Sequence, residues 1–268
     1  MQCGSLELRP TAPHEMTQAA RSAIEAGATR VVAAGGDGTI SAVAAAVAGT
    51  ACELAVIPAG TRNHFARDHG IPGDLAQACA LAASGTRVVP VDVATVNGRL
   101  FLNTSSVGVY ANYVRARDRL ESLCGYWAAS LLATMRTLLR VRPFQVLFEA
   151  DGREQEYTTP LVFVAIGERE LKAPVLGGRV REGVPGLHVM VVRSRTRARL
   201  IALSLAATTK GTDAIARTAH LDSLYVHSCR VVQRHDTVAV DGEILKLPSP
   251  LEYSWRGGAL RLVVPESR

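Results

Sequence analysis

The feature that most constrains this chain is Gly35-Gly36-Asp37-Gly38-Thr39, set between the apolar run Arg30 to Ala34 and an Ala- and Val-rich segment from Ile40 to Ala48. A short apolar run, a cluster of glycines and then good helix formers predict a buried strand, a tight turn and a packed helix closed by Gly49. Three glycines let the backbone approach a polyphosphate without a Cβ clash, and the exposed N–H groups and dipole of the helix start favour an anion. Asp37 would repel bare phosphate, so its expected partner is a magnesium ion, a ribose hydroxyl or a bound water. A plain strand-to-helix turn uses the same residues, and the loop alone leaves both readings open.

A second loop follows the same logic. Glu53 to Pro58 reads as another buried strand, and Gly60-Thr61-Arg62-Asn63-His64-Phe65-Ala66-Arg67 comes directly after it. Two such loops belong at one carboxyl edge of a parallel sheet, where ligands gather in open α/β folds. Thr61 and Asn63 offer a hydroxyl and an amide to a nucleotide or, equally, to a helix cap with Phe65 packed inward. An amphipathic helix from about His14 to Ala26 precedes the first strand. The alternation predicts an α/β domain over residues 1–90 with a parallel sheet and a Gly-rich phosphate loop.

The pattern changes after about Arg87. Val88 to Val96, Leu100 to Ser105, Phe144 to Glu149, Leu161 to Ile166 and Leu187 to Val192 are β-rich runs separated by turn residues, and Ser223 to Gln233, Thr237 to Val240 and Ala259 to Val264 follow. They predict a mainly β, sandwich-like domain over residues 91–268. A helical insertion near 119–140 is expected from apolar residues at helical spacing, Leu120, Leu123, Trp127 and Leu131 among them.

Composition sets limits on function. Of 268 residues 48% are hydrophobic and 20% charged, which argues for a folded chain over a disordered one. The net charge of +6 suits an anionic partner, but the arginines are dispersed, so no nucleic acid is expected. The 5 cysteines are far apart and form no metal-ligand or disulfide framework, which predicts a reduced, cytoplasmic setting. His188, His220, His227 and His235 are not at metal-ligand spacing, and structural or surface roles are expected for them. No run approaches the roughly 18 apolar residues that a spanning helix needs.

Together the two loops resemble the diacylglycerol kinase catalytic domain family, the bacterial lipid kinases related to sphingosine kinases. That family pairs Gly-Gly-Asp-Gly-Thr with Gly-Thr-x-Asn-(Asp or His)-Phe-Ala. Asn103-Thr104-Ser105-Ser106-Val107-Gly108, the segment Tyr126 to Phe144, Asp241-Gly242-Glu243 and the closing Val263-Val264-Pro265 continue the resemblance. It implies an ATP- and magnesium-dependent lipid kinase with ATP in a cleft between two domains. The acceptor is expected to be a membrane lipid alcohol, diacylglycerol first, met by peripheral contact with the membrane. Gly35, Gly36, Asp37, Gly38 and Thr39 would hold the nucleotide phosphates, with Gly60, Thr61 and Asn63 nearby. Glu243 is the implied general base, with Asp241 beside it and Asp37 as the third catalytic carboxylate; no metal ligand is assigned. A poor nucleophile such as a lipid hydroxyl has to be aimed and relieved of its proton, which gives those carboxylates their chemistry. Asp-Gly between strands is equally a β-hairpin signal.

Two departures from the family pattern bear on activity. The usual opening strand ending in Asn-Pro-x-Ser-Gly is not found. Gly183-Val184-Pro185-Gly186-Leu187-His188 stands where the family often has an acidic pair before Gly-Leu, with Glu182 the one acidic neighbour. These departures support a rival expectation, a non-catalytic family member that binds lipid or nucleotide. NAD kinases share the Gly-Gly-Asp-Gly-Thr loop, but their Asn-Glu pair and Thr-Gly-Ser-Thr-Ala-Tyr run do not occur here. Arg115, Arg117, Arg119, Arg136, Arg140 and Arg142 either bracket a lipid-facing helix or form its solvated ends.

Overall fold

The computed structural model describes residues 7–108, 143–170, 178–180, 183–193, 221–234 and 236–266. The expected helix near 119–140, the six arginines around it, Glu182, His220 and His235 lie outside the described residues. The chain divides into two compact units, Met1–Pro90 with Ala259–Arg268, and Val91–Gly258.

In the first unit, α1 (Met16–Glu25) leads through a turn at Gly27, φ +92°, into β1 (Arg30–Gly35). Helix α2 (Asp37–Val47) returns the chain to β2 (Glu53–Pro58), which pairs parallel with β1 from Arg30↔Glu53 to Gly35↔Pro58. Two short helices follow, α3 (His64–Asp68) and α4 (Leu75–Ser84). The sequence leaves a helix cap before Phe65 open and gives no α4, although Asp74 carries a cap signal: its Oδ1 accepts from Gln77 N–H at 2.9 Å. Ile40, Ala44 and Val47, spaced at helical period, are fully buried, so α2 holds to the sheet by small apolar contacts. At the far end of β1 and β2, Glu53 accepts from Arg30 at 2.8 Å, and Arg30 also donates to the Ala82 and Gly85 carbonyls.

The second unit is built from two antiparallel sheets. β3 (Val88–Val96), which begins in the first unit, pairs with β4 (Arg99–Phe101); β5 (Thr104–Gly108) then crosses to the other sheet. β6 (Phe144–Ala150) and β7 (Arg153–Thr159) form a hairpin, and β8 (Leu161–Ile166) pairs with β5. β9 (Arg169–Glu170) and β10 (Gly178–Arg179) make a small separate ladder. β11 (Leu187–Val192) and β12 (Leu221–Val226) join β8. β13 (Ser228–Val232) joins β6; β14 (Thr237–Val240) pairs with β5 and with β15 (Glu243–Lys246). β16 (Leu251–Val263) serves both units: Leu251–Ser254 pair with β13, while Arg261 and Leu262 lie parallel to β2.

One sheet therefore runs β12-β11-β8-β5-β14-β15, and β16, β13, β6 and β7 make up most of the other. Val107, Val164 and Val189 from the first meet Val146, Phe148, Val231 and Tyr253 from the second in one buried cluster, as in a β-sandwich. The fold thus comprises an α/β unit with a parallel sheet and a mainly β unit. Two readings of the β runs need correction. Ser223 to Gln233 reads as one β-rich run in sequence, yet the chain bends at His227 and its halves enter different sheets. The last strand starts at Leu251, eight residues before the expected Ala259, because Gly257 and Gly258 continue the strand where a turn would be expected. Gly258 has φ +58°, and a Cβ on Gly257 would stand 2.6 Å from Cη2 of Trp255.

Candidate active site

The two glycine loops of the first unit meet at the carboxyl ends of β1 and β2. Ala59 N–H donates to the Gly35 carbonyl at 2.9 Å, which carries the parallel ladder one residue past Pro58. A Cβ on Gly60 would lie 2.5 Å from Gly36 Cα, and one on Gly36 would lie 3.3 Å from Gly60 Cα. The loops therefore touch backbone to backbone, a contact only glycine permits at position 60. A Cβ on Gly35 would come within 2.5 Å of Thr39 Oγ1, which keeps that hydroxyl over the first turn of α2.

The second loop is held in shape by Asn63. Its φ is +48°, a left-handed value that Asn tolerates better than most residues. Its Oδ1 accepts from Gly60 N–H at 2.9 Å, and its Nδ2 donates to the Gly60 carbonyl at 2.8 Å. Asp37, at the first position of α2, reaches across to the other loop. Oδ2 accepts from His64 N–H and Oδ1 from Phe65 N–H, each at 3.2 Å. The carboxylate thus caps α3 from outside, and Phe65, 1% exposed, anchors that helix in the core. Of the residues expected around a nucleotide, the structure brings Gly35, Gly36, Asp37 and Thr39 together with Gly60 and Asn63. Gly38 lies in the first turn of α2; Thr61 is exposed at the loop.

Asp241-Gly242-Glu243 is a hairpin turn of the second unit. Asp241 and Gly242, with φ of +47° and +86°, connect β14 to β15, whose Val240 and Glu243 pair directly. Asp241 Oδ2 accepts from Leu102 N–H at 2.8 Å; Oδ1 accepts from Asn103 and Thr104 N–H at 2.8 and 3.1 Å. Asp241 N–H returns a bond to the Thr104 carbonyl at 2.8 Å. This aspartate fixes the crossover from β4 to β5. Glu243 faces outward, and its Oε2 accepts from Arg99 Nη2 at 3.0 Å. The sequence reading did not single out Arg99, although Val96-Asn97-Gly98-Arg99 repeats the turn pattern of Val240-Asp241-Gly242-Glu243.

Around the stretch from Gly183 to His188, two further groups are placed by the fold. Glu168 Oε2 accepts from Val184 N–H at 3.1 Å. His188 is 1% exposed. Its Nδ1 accepts from Arg169 N–H at 3.1 Å, so Nε2 carries the proton and donates to Ser223 Oγ at 2.6 Å. Burial holds the His188 pKa below its ordinary value, and the ring stacks on Tyr225 at 4.5 Å. That is the structural role expected of it. Burial also pushes the Cys229 thiol up to about 12, so this cysteine is an inert core group. Among the described residues, no three His, Cys, Asp or Glu side chains converge as a metal site, and no helix is long and apolar enough to cross a membrane.

The diacylglycerol kinase catalytic domain model matches residues 2–96. A Pseudomonas aeruginosa protein named "Probable lipid kinase YegS-like" is 32% identical over 261 residues, covering 91% of this chain and 79% of its own length. A Bacillus subtilis protein named diacylglycerol kinase is 35% identical over 147 residues, 53% of this chain and 48% of that protein. A crystal structure of a diacylglycerol kinase from Bacillus anthracis superposes with a TM-score of 0.68 at 24% identity, covering 97% of this chain and 85% of the other, and shares the fold. With glycine loops of this geometry and identity sustained over most of a lipid kinase's length, the chain belongs to the diacylglycerol kinase catalytic domain family and is a phosphotransferase of the lipid-kinase kind.

Proposed function

We propose that the chain transfers the γ-phosphoryl group of ATP to the hydroxyl of a membrane lipid, with diacylglycerol as the acceptor. The observation that carries this reading is the backbone contact of two glycine loops at the carboxyl ends of β1 and β2, with no room for a Cβ at Gly60 and little at Gly36. Exposed N–H groups at such an edge suit a polyphosphate, because each donor meets anionic oxygen and the dipole of α2 adds to the attraction. Gly35, Gly36, Gly38 and Thr39 hold the phosphates, and Gly60, Thr61 and Asn63 complete the binding loop. The name of the Bacillus subtilis relative favours a glycerolipid acceptor.

In this reading Glu243 accepts the proton of the lipid hydroxyl. The lipid oxygen forms a bond to Pγ as the bond from Pγ to the β-bridging oxygen breaks, and ADP leaves with that electron pair. A loose transition state asks the protein chiefly for positioning and for neutralisation of charge. Asp37 positions, since it ties α3 and the Gly60 loop to the Gly36 loop; its carboxylate retains lone pairs beyond the two N–H bonds it accepts. Asp241 sets the turn that presents Glu243. Magnesium fits as an ion carried on the nucleotide, because it commonly keeps its waters and takes only one or two carboxylates. Bound there, it would offset the negative charge of the β- and γ-phosphates; Asp37 is the protein carboxylate at the loops. The work is done from the cytoplasm by peripheral contact with the membrane.

The test is transfer of labelled γ-phosphate from ATP–magnesium to vesicles containing diacylglycerol, a sphingoid base or a polyprenol. Label in diacylglycerol, abolished in Glu243→Gln, is the expected result. Label confined to another lipid moves the acceptor. ATP binding with no labelled lipid from the folded protein overturns the kinase reading in favour of a non-catalytic member.

A further inference from the structure

Two hairpin tips of the second unit are near copies with opposite charges. Val96-Asn97-Gly98-Arg99 joins β3 to β4, with φ of +48° at Asn97 and +77° at Gly98. Val240-Asp241-Gly242-Glu243 joins β14 to β15, with φ of +47° at Asp241 and +86° at Gly242. Each turn places its fourth residue at the first position of the returning strand, paired with a buried valine. Side chains at such a position project in a direction set by the backbone twist. The two tips come from different sheets, yet Arg99 Nη2 and Glu243 Oε2 meet at 3.0 Å.

Both turns are anchored well beyond this contact. Asn97 Nδ2 donates to the Pro248 and Pro250 carbonyls at 2.9 and 3.2 Å, and its Oδ1 accepts from Glu252 N–H at 2.7 Å. The three amides on Asp241 anchor the other. The ion pair is therefore not what holds the turns in place. Its members are 51% and 52% exposed, the regime in which a pair contributes little to folding. Its geometry has a different consequence. The contact is through one oxygen, and Oε1 of Glu243 makes no hydrogen bond among the described residues. One oxygen is fixed and the other left open, as an aimed proton acceptor requires.

We infer that Arg99 is a positioning residue for Glu243, orienting its carboxylate so that Oε1 presents to the acceptor hydroxyl. This rests on the proposed role of Glu243 as the base. An unpaired glutamate at an exposed strand position samples several rotamers, and only some aim an oxygen at the reacting proton. When Glu243 takes that proton its charge is lost, and the Arg99 cation then stands unneutralised where negative charge is being transferred. Arg99 itself neither gives up nor accepts a proton.

The experiment measures steady-state phosphorylation of diacylglycerol in mixed micelles by wild type, Glu243→Gln, Arg99→Ala, Arg99→Lys and the exchanged pair Arg99→Glu with Glu243→Arg. For Arg99→Ala we expect kcat to fall about tenfold, with KM for ATP and lipid within about twofold, Tm unchanged, and most of the loss restored by Arg99→Lys. The exchanged pair restores the ion pair but removes the base and is expected to be inactive; turnover by it overturns the base assignment and the inference with it. Inactive Glu243→Gln together with undiminished Arg99→Ala overturns the inference and leaves the base assignment standing. Active Glu243→Gln overturns both.

Discussion

Asp37 in the first unit and Asp241 in the second each engage backbone amides of a distant segment. Asp37 takes the N–H groups of His64 and Phe65, and Asp241 takes those of Leu102, Asn103 and Thr104. Glu243 differs from both. Among the described residues its carboxylate bonds only an exposed arginine, and half its side chain is open to solvent. The difference separates carboxylates that tie segments of backbone together from one with an open oxygen, as the proposed proton acceptor requires. It also separates two kinds of loop. In the first unit the loops meet through backbone, so what matters there is the lack of side chains at Gly36 and Gly60. In the second, side chains are projected by ordinary hairpin turns, whose glycines supply only the required positive φ.

The comparison can be broken most severely at Gly60. In Gly60→Ala the new Cβ meets Gly36 backbone, which cannot yield as a flexible side chain would. The expected outcome is loss of measurable ATP binding by calorimetry, with about 1–3 kcal/mol of destabilisation from overpacking. Gly98→Ala is the control, because no atom stands within 4 Å of its Cβ; there only the left-handed φ of +77° is penalised and ATP binding should persist. Equal ATP loss in both would end the distinction between backbone and side-chain loops.

A smaller effect is expected at Asp241. Asp241→Ala leaves three amides at the crossover without their acceptor and should lower unfolding free energy by about 1–3 kcal/mol in a urea titration. Catalysis should weaken with it, since Glu243 is presented by the same turn. An Asp241→Ala protein of unchanged stability but abolished turnover would mark this aspartate as a chemical group and not a clamp.

The smallest expected effect is the pH response of His188. Burial lowers its pKa in the folded state, so below about pH 6.5 the unfolded chain binds a proton that the folded one resists. Its contribution to stability is complete above that pH and is lost as pH falls toward the lowered folded value. The slope it adds does not exceed about 1.4 kcal/mol per pH unit. The charged groups near it are Glu168, which favours protonation, and Arg169, which opposes it. Urea midpoints between pH 7.5 and 5 should fall less steeply in His188→Gln than in wild type.

Much of the first unit was legible in the sequence. Strand, glycines and helix occur in unbroken order there, and parallel pairing of the two strands brings their loops to one edge without further information. The short helix α3 was legible only as a cap left open at Thr61 and Asn63: five residues carry too little periodicity, and its N-terminal amides are capped by Asp37, 27 positions upstream of His64. In the second unit the β-rich runs announced strands but not which sheet each would join. Ser228–Val232 and Leu221–Val226 differ little in character, and only the bend at His227 sends them apart.

The sequence by itself determined where backbone must be bare, because glycine is the one residue that accepts such close approach and positive φ, and both are written locally. It also determined the turn of Asp241-Gly242-Glu243, since the left-handed conformation is decided within two residues. Only the tertiary structure decided what the charges do. An aspartate reads the same whether it faces a ligand or caps a helix, and Arg99 and Glu243 stand 144 positions apart in the chain. Their pairing depends on two sheets packing face to face, a consequence of the buried cluster as a whole that no local pattern encodes.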